Sequence, residues 1–140
     1  RLLAQTALQL IAEGKKQKAI NILKKADTEI PAYNVTLDYM SGGLDMARGW
    51  LMTGQKVKGK EYIEAVWKNA SQYLNYYLSL PNDRFLQAEH DCIRQIMIMQ
   101  SICEAAGMVS PQLEKKYEKQ LNNLYRLYHG RGGRMPEGNQ

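Results

Sequence analysis

Two glycines, Gly14 and Gly54, stand forty residues apart, each between two runs of helical pattern. Glycine reaches the left-handed conformation that ends helices without the penalty a Cβ brings. Before Gly14, the apolar residues Leu3, Ala7, Leu10 and Ile11 recur on one helical face. After it, Ala19, Ile20, Leu23, Ala26 and Ile30 do the same until Pro31, which pushes its predecessor out of helical space. The correspondence spreads outward from the glycines: Ala7 matches Ala47, Leu10 matches Trp50, Lys16 and Lys18 match Lys56 and Lys58, Ala19 matches Gly59, and Leu23 matches Ile63. One helical hairpin cannot bury its apolar faces alone, and hairpins recurring at a fixed period are the mark of a stacked array.

The rest of the chain extends this pattern to six helices and no strand. They are predicted over residues 2–13, 16–29, 37–53, 57–80, 84–106 and 110–129. Gly42-Gly43 weakens the start of the third, which is expected to begin as late as Leu44. Pro81-Asn82-Asp83 breaks the chain, with Asn82 or Asp83 as a candidate cap for a fifth helix whose stripe is Phe85, Ala88, Cys92, Ile96, Met99 and Cys103. Ser110-Pro111 is a cap followed by proline at the first helical position. The expected architecture is all-α, a right-handed stack of three antiparallel helical hairpins at about 2–30, 37–80 and 84–129. The third matches the repeat poorly and is expected to act as its cap. Residues 130–140 include Gly130, Gly132, Gly133, Pro136 and Gly138, and are expected to form a flexible Gly/Arg tail.

Composition excludes little. The 140 residues carry a net charge of +5, which permits an acidic partner without demanding one. No run approaches the roughly 18 apolar residues of a membrane span. The chain begins at Arg1 rather than Met and is expected to be a piece of a longer protein or a processed one. Cys92 and Cys103 lie eleven apart, about 16 Å along one helix, too far to bridge each other. They read as buried thiols that behave as small apolar residues.

In Glu89-His90-Asp91-Cys92, adjacent helical residues point about 100° apart, so the four cannot converge on a metal. Only Glu89 and Cys92 share a face. Neither His90 nor His129 is placed locally beside Ser101 or a cysteine as the base of a nucleophile. Gly42-Gly43 lacks the lysine and spacing of a phosphate-cradling loop. No catalytic, metal or cofactor residue is expected. The tail HGRGGRMPEG is similar to the arginine-glycine segments of RNA-binding proteins, in a single copy beside Glu137, and nucleic acid is not an expected partner.

The first hairpin resembles a tetratricopeptide repeat. Leu3, Thr6, Ala7 and Leu10 stand at the first four motif positions, Ala19 and Leu23 at A-x3-F, and Ala26 and Pro31 complete it. The second hairpin keeps Ala47, Trp50 and Ile63 but has Gly59, Val66 and Ser71 at later positions. A wider likeness rests on LIAEGKKQKAINIL, LNYYLSLP and YEKQLNNLYRLYHG. These stretches resemble the C-terminal soluble region of a family of bacterial multi-spanning membrane proteins. The N-terminal part of that family is similar to membrane glycosyltransferases of the protein O-mannosyltransferase kind. The resemblance implies a helical appendage outside the bilayer, on the extracytoplasmic side, with catalytic carboxylates in the membrane part and none carried over here.

Three surfaces are candidates for a partner. By carry-over from tetratricopeptide arrays, the concave face includes Leu8, Ile11, Ala12, Leu44, Arg48, Leu51 and Met52, as a groove for a protein segment or as plain core. The hairpin turns place Lys15, Lys16, Lys18, Lys56, Lys58 and Lys60 on one edge, facing either solvent or an anionic membrane or acidic protein. Tyr73, Tyr76 and Tyr77 are expected to fill a helix interface with wet hydroxyls, the alternative being that with Trp50 they stack on sugars or peptide. The function these features imply is a non-catalytic interaction or scaffolding module. The alternative is an accessory, substrate-presenting domain of a membrane glycosyltransferase.

Overall fold

The computed structural model describes residues 2–29 and 43–136, with side chains described over 4–25 and 43–136. These residues form seven helices and no strand: α1 (Leu2–Ala12), α2 (Lys16–Glu29), α3 (Gly43–Met52), α4 (Lys56–Leu78), α5 (Asn82–Gln87), α6 (Glu89–Gly107) and α7 (Pro111–Gly130). Pro31 and the predicted start of the third helix at 37 lie outside the described residues.

The two glycine turns are the same structure. Gly14 has φ 78° and Gly54 φ 82°. Gly14 N–H donates to Ile11 O (3.0 Å) and Lys15 N–H to Leu10 O (2.8 Å). Forty residues on, Gly54 N–H donates to Leu51 O (3.0 Å) and Gln55 N–H to Trp50 O (2.8 Å). These paired bonds satisfy the last carbonyls of a helix in the manner of a glycine C-terminal motif. The flanking positions match in burial as well: Ala7 and Ala47 are wholly buried, and so are Leu23 and Ile63. The turns differ in what flanks them: Leu10 and Ile11 are half-buried where Trp50 and Leu51 are buried. Glu13 is exposed, whereas Thr53 is buried and its hydroxyl donates to Gly49 O (3.0 Å) and Trp50 O (2.9 Å).

Each turn brings its helices together, α1 on α2 and α3 on α4, and α3 packs on both α1 and α2. Two glycines permit close approaches between these helices. A Cβ on Gly49 would fall 2.9 Å from Leu23 Cδ2 of α2, and one on Gly59 would fall 2.5 Å from Leu51 Cδ2 of α3. Gly59 occupies the place of Ala19 in the first hairpin, a small residue at a helix crossing in both.

The C-terminal third is built differently. α6 packs on α4 and α7, and α7 reaches α4. Its core joins Cys92, Ile96, Met99 and Cys103 of α6 to Tyr117, Leu121 and Tyr128 of α7. The Trp67 ring of α4 stacks on Tyr117 at 4.1 Å, and Trp67 Nε1–H donates to Gln120 Oε1 (2.9 Å). Ser110 caps α7 as expected, accepting from Leu113 N–H (3.1 Å), with Pro111 at the first helical position.

Three expectations are corrected here. The single fifth helix is two, because Ala88 leaves helical dihedrals (φ −91°, ψ 11°) where Phe85 turns in to meet Tyr128, ring centroids 6.0 Å apart. Neither Asn82 nor Asp83 caps that helix: Pro81 precedes its first residue, and Asn82 Oδ1 instead accepts from Arg131 (2.9 Å). The flexible tail over 130–140 is, through Pro136, a strap held against the fold. Gly132 turns the chain with φ 91°, and Gly133 lies on the Tyr128 ring, where a Cβ would collide. Tyr128 O–H donates to Arg134 O (2.8 Å), accepts from Arg134 N–H (3.1 Å), and Met135 packs against the core.

Candidate docking surface

The residues predicted to line a concave face divide. Leu44 is 1% exposed and Leu51 8%, so both belong to the core and are withdrawn from a partner. The reason is the small residue opposite: Leu51 fills the gap that Gly59 leaves on α4. Met52 is 49% exposed, Ala12 is exposed, and Leu8 and Ile11 are half-buried. Arg48 is half-buried and pairs with Asp45 at 3.9 Å, one turn back on α3.

The expected lysine edge is seen at one point. Lys16 Nζ lies 3.7 Å from the point where a Cβ on Gly54 would stand, so the first turn reaches the second. Lys15 pairs with Glu13 (3.7 Å), Lys58 with Glu61 (3.8 Å) and Lys60 with Glu64 (3.8 Å). Lys16, Lys18 and Lys56 are exposed and make no ion pair among the described residues. Neither α2 nor α4 carries an acidic residue in its first turn. Lysines there oppose the helix dipole, which favours negative charge at that end. Exposed charges of this kind are screened by salt over about 10 Å at 0.1 M.

The tyrosine cluster departs from its expected burial. Tyr73 and Tyr76 are exposed, and Tyr77 is half-buried. Tyr73 and Tyr77 are near-parallel at 6.4 Å, and Tyr76 meets Tyr77 edge-on at 5.6 Å. Trp50 is not part of this surface, because it is buried in α3. Burial, then the charge of Asp91, raises the Tyr77 hydroxyl above its ordinary value of 10.0.

The thiols are buried and free. Burial, then Asp91, pushes Cys92 up from 9.0 to about 11. Burial, then Glu118, Glu114 and Glu104, pushes Cys103 up to about 12. A thiol held in its neutral form is a poor nucleophile and a poor metal ligand. Within Glu89-His90-Asp91-Cys92, His90 is exposed while Cys92 is buried, and no group of three potential metal ligands occurs among the described residues. No described helix is long and apolar enough to cross a membrane.

Sequence reasoning missed two features of this surface. One is Arg131, whose guanidinium donates to Leu78 O (2.7 Å) and Asn82 Oδ1 (2.9 Å) and lies 4.3 Å from the Phe85 ring. The other is the outward side of α6, where a shallow groove of about 630 Å³ is lined by His90, Ile93, Arg94, Met97, Ser101 and Glu104, among others. The 4-3-4-3 spacing of His90, Arg94, Met97, Ser101 and Glu104 was the available signal. No family model, curated protein or solved structure matches this chain.

Proposed function

We propose that the chain is a non-catalytic interaction module, the helical appendage of a larger bacterial membrane protein, held against an anionic surface by its lysine edge. The fold behind this proposal is a right-handed stack of three hairpins of tetratricopeptide type. It is supported by the matching turns at Gly14 and Gly54 and by α3 lying on both helices of the first hairpin. One observation carries the functional reading: Lys16 of the first hairpin approaches the turn at Gly54 of the second, which supports a lysine edge shared by the two. The module then sits outside the bilayer, on the extracytoplasmic side, next to the membrane part of its own protein. Leu8, Ile11, Ala12, Arg48 and Met52 are left for a protein segment.

Each lysine near an anionic membrane contributes on the order of 1 kcal/mol. Replacing Lys16, Lys18 and Lys56 by Gln therefore lowers vesicle binding by on the order of 100-fold. The test is cosedimentation at low salt with phosphatidylcholine vesicles, with and without phosphatidylglycerol. Selective recovery with the anionic vesicles is expected. Equal recovery with both overturns the membrane part of the proposal.

The second reading, an accessory domain that presents acceptors to a membrane glycosyltransferase, is favoured by the exposed rings of Tyr73 and Tyr76, which offer a stacking face. A nucleic-acid role has less to stand on: Arg131 of the arginine-glycine stretch is engaged by Leu78 and Asn82.

A further inference from the structure

The outward side of α6 presents His90, Arg94, Met97, Ser101, Glu104 and, at its C-cap, Met108, spaced 4-3-4-3-4. That is the 3.5-residue period that keeps one seam of a helix facing a partner helix. The seam is separate from the stripe of Cys92, Ile96, Met99 and Cys103 by which α6 enters the core. Met97 is 43% exposed and Met108 40%, large apolar side chains in water at the middle and end of the seam. The Ser101 hydroxyl donates to Met97 O of its own helix (3.3 Å) and needs no acceptor across an interface.

The seam is polarised. Arg94 and Glu104, about 15 Å apart along the axis, are both exposed, and neither makes an ion pair among the described residues. The flank of the seam, on α7 and the strap that follows it, has the same sense. Glu114 and Glu118 share a groove with Glu104, while His129 and Arg134 share one with Met97. The pattern is also self-complementary. About a midpoint at residue 99, Arg94 reflects onto Glu104, Met97 onto Ser101 and His90 onto Met108. A two-fold axis at that midpoint, perpendicular to the helix, pairs each Arg94 with Glu104 of a second copy and closes the interface. It also reverses the α7 flank, setting its acidic end against the basic end of the other copy.

We propose that this chain forms a two-fold symmetric dimer through antiparallel pairing of α6, with Met97 at its centre and two Arg94–Glu104 contacts flanking it. Charge complementarity is what selects the occupant. An antiparallel second copy matches the polarity of the seam, whereas a parallel one sets like charges together at both ends. Such juxtapositions are what suppress wrong pairings at interfaces.

Sedimentation equilibrium of the full chain in 50 mM salt tests this. A concentration-dependent dimer is expected. Arg94→Glu and Glu104→Arg each raise its dissociation constant at least tenfold, because each turns two attractions into two repulsions. Mixing these two variants restores a dimer, since one copy of each again sets opposite charges together at both contacts. Both positions are exposed, so circular dichroism of each variant matches the parent. A chain that stays monomeric at several hundred micromolar overturns the proposal. So does a dimer indifferent to both reversals, or a mixture of the variants that fails to reassociate.

Discussion

The two ends of this molecule reach stability by different routes. Through α4, order is imposed by backbone rules used twice: a left-handed glycine, the same pair of turn hydrogen bonds, and small residues at the crossings. From α5 onward, order depends on side chains meeting across long sequence separations. Arg131 reaches Leu78 and Asn82, and Tyr128 holds Phe85 on one side and the strap on the other. A rule that acts within five residues can be copied and stacked. A lock between distant groups is specific to its place and has no counterpart forty residues away.

Substitutions in the two regions separate these routes. The largest loss is expected from Tyr128→Ala, which removes a wholly buried ring and unfastens the strap at Arg134. Truncations of this kind cost about 3–5 kcal/mol, measured by urea unfolding. Arg131→Gln follows at about 1.5–3 kcal/mol, the range for hydrogen bonds made by a charged group, with increased proteolysis after Tyr128 as a local readout. If Arg131→Gln is neutral, the C-terminal region is not locked by this contact, and the contrast between the regions weakens.

Gly14→Ala and Gly54→Ala come next, at about 1–2 kcal/mol each for a Cβ in the left-handed region. They probe the likeness of the two turns directly, because the two losses should agree. Nothing lies within 4 Å of a Cβ at Gly14, and only the flexible Lys16 end lies near one at Gly54. Unequal losses would show that the turns are alike in geometry but not in energetic role. At neutral pH, the smallest effect is that of Lys60→Gln, within about 0.5 kcal/mol, because its pair with Glu64 is exposed.

A pH titration separates the thiols from everything else. Cys103 keeps its proton to about 12 when folded, against 9.0 for an ordinary thiol. Between those values the unfolded chain has lost a proton that the folded chain retains, so stability falls as pH rises. Stability is expected to be level in this respect below pH 9 and to decline from 9 to 12. Tyr117 and Tyr128, both pushed from 10.0 up to about 12, add to the decline only above pH 10. Replacing both cysteines by Ala should move the onset from about 9 to about 10, and an unmoved onset would assign the decline to other groups.

Much of the fold was legible in residues because its signals are local. Gly14, Gly54 and the Ser110-Pro111 pair each state a helix boundary through their own backbone preferences. The candidate surface was legible only in part. The approach of Lys16 to the second turn follows from where turns fall, but the fate of Leu44 and Leu51 does not, since an apolar residue on α3 serves a groove or a core equally well in sequence. What decided it was the neighbour: Gly59 leaves room that Leu51 enters. The tyrosines show the reverse case, with Tyr73 and Tyr76 left outside because α6 packs along a different side of α4.

Written in the residues themselves is an all-helical fold over the described residues, punctuated where glycine, proline and serine impose a particular backbone, with two turns alike because their glycines are alike. Tertiary structure alone decided that the chain breaks at Ala88, that residues 130–136 fold back as a strap, and which apolar residues face water. Punctuation is written into single residues and their immediate neighbours. Burial and long-range locks belong to pairs of surfaces, and a residue does not carry the identity of the surface that will meet it.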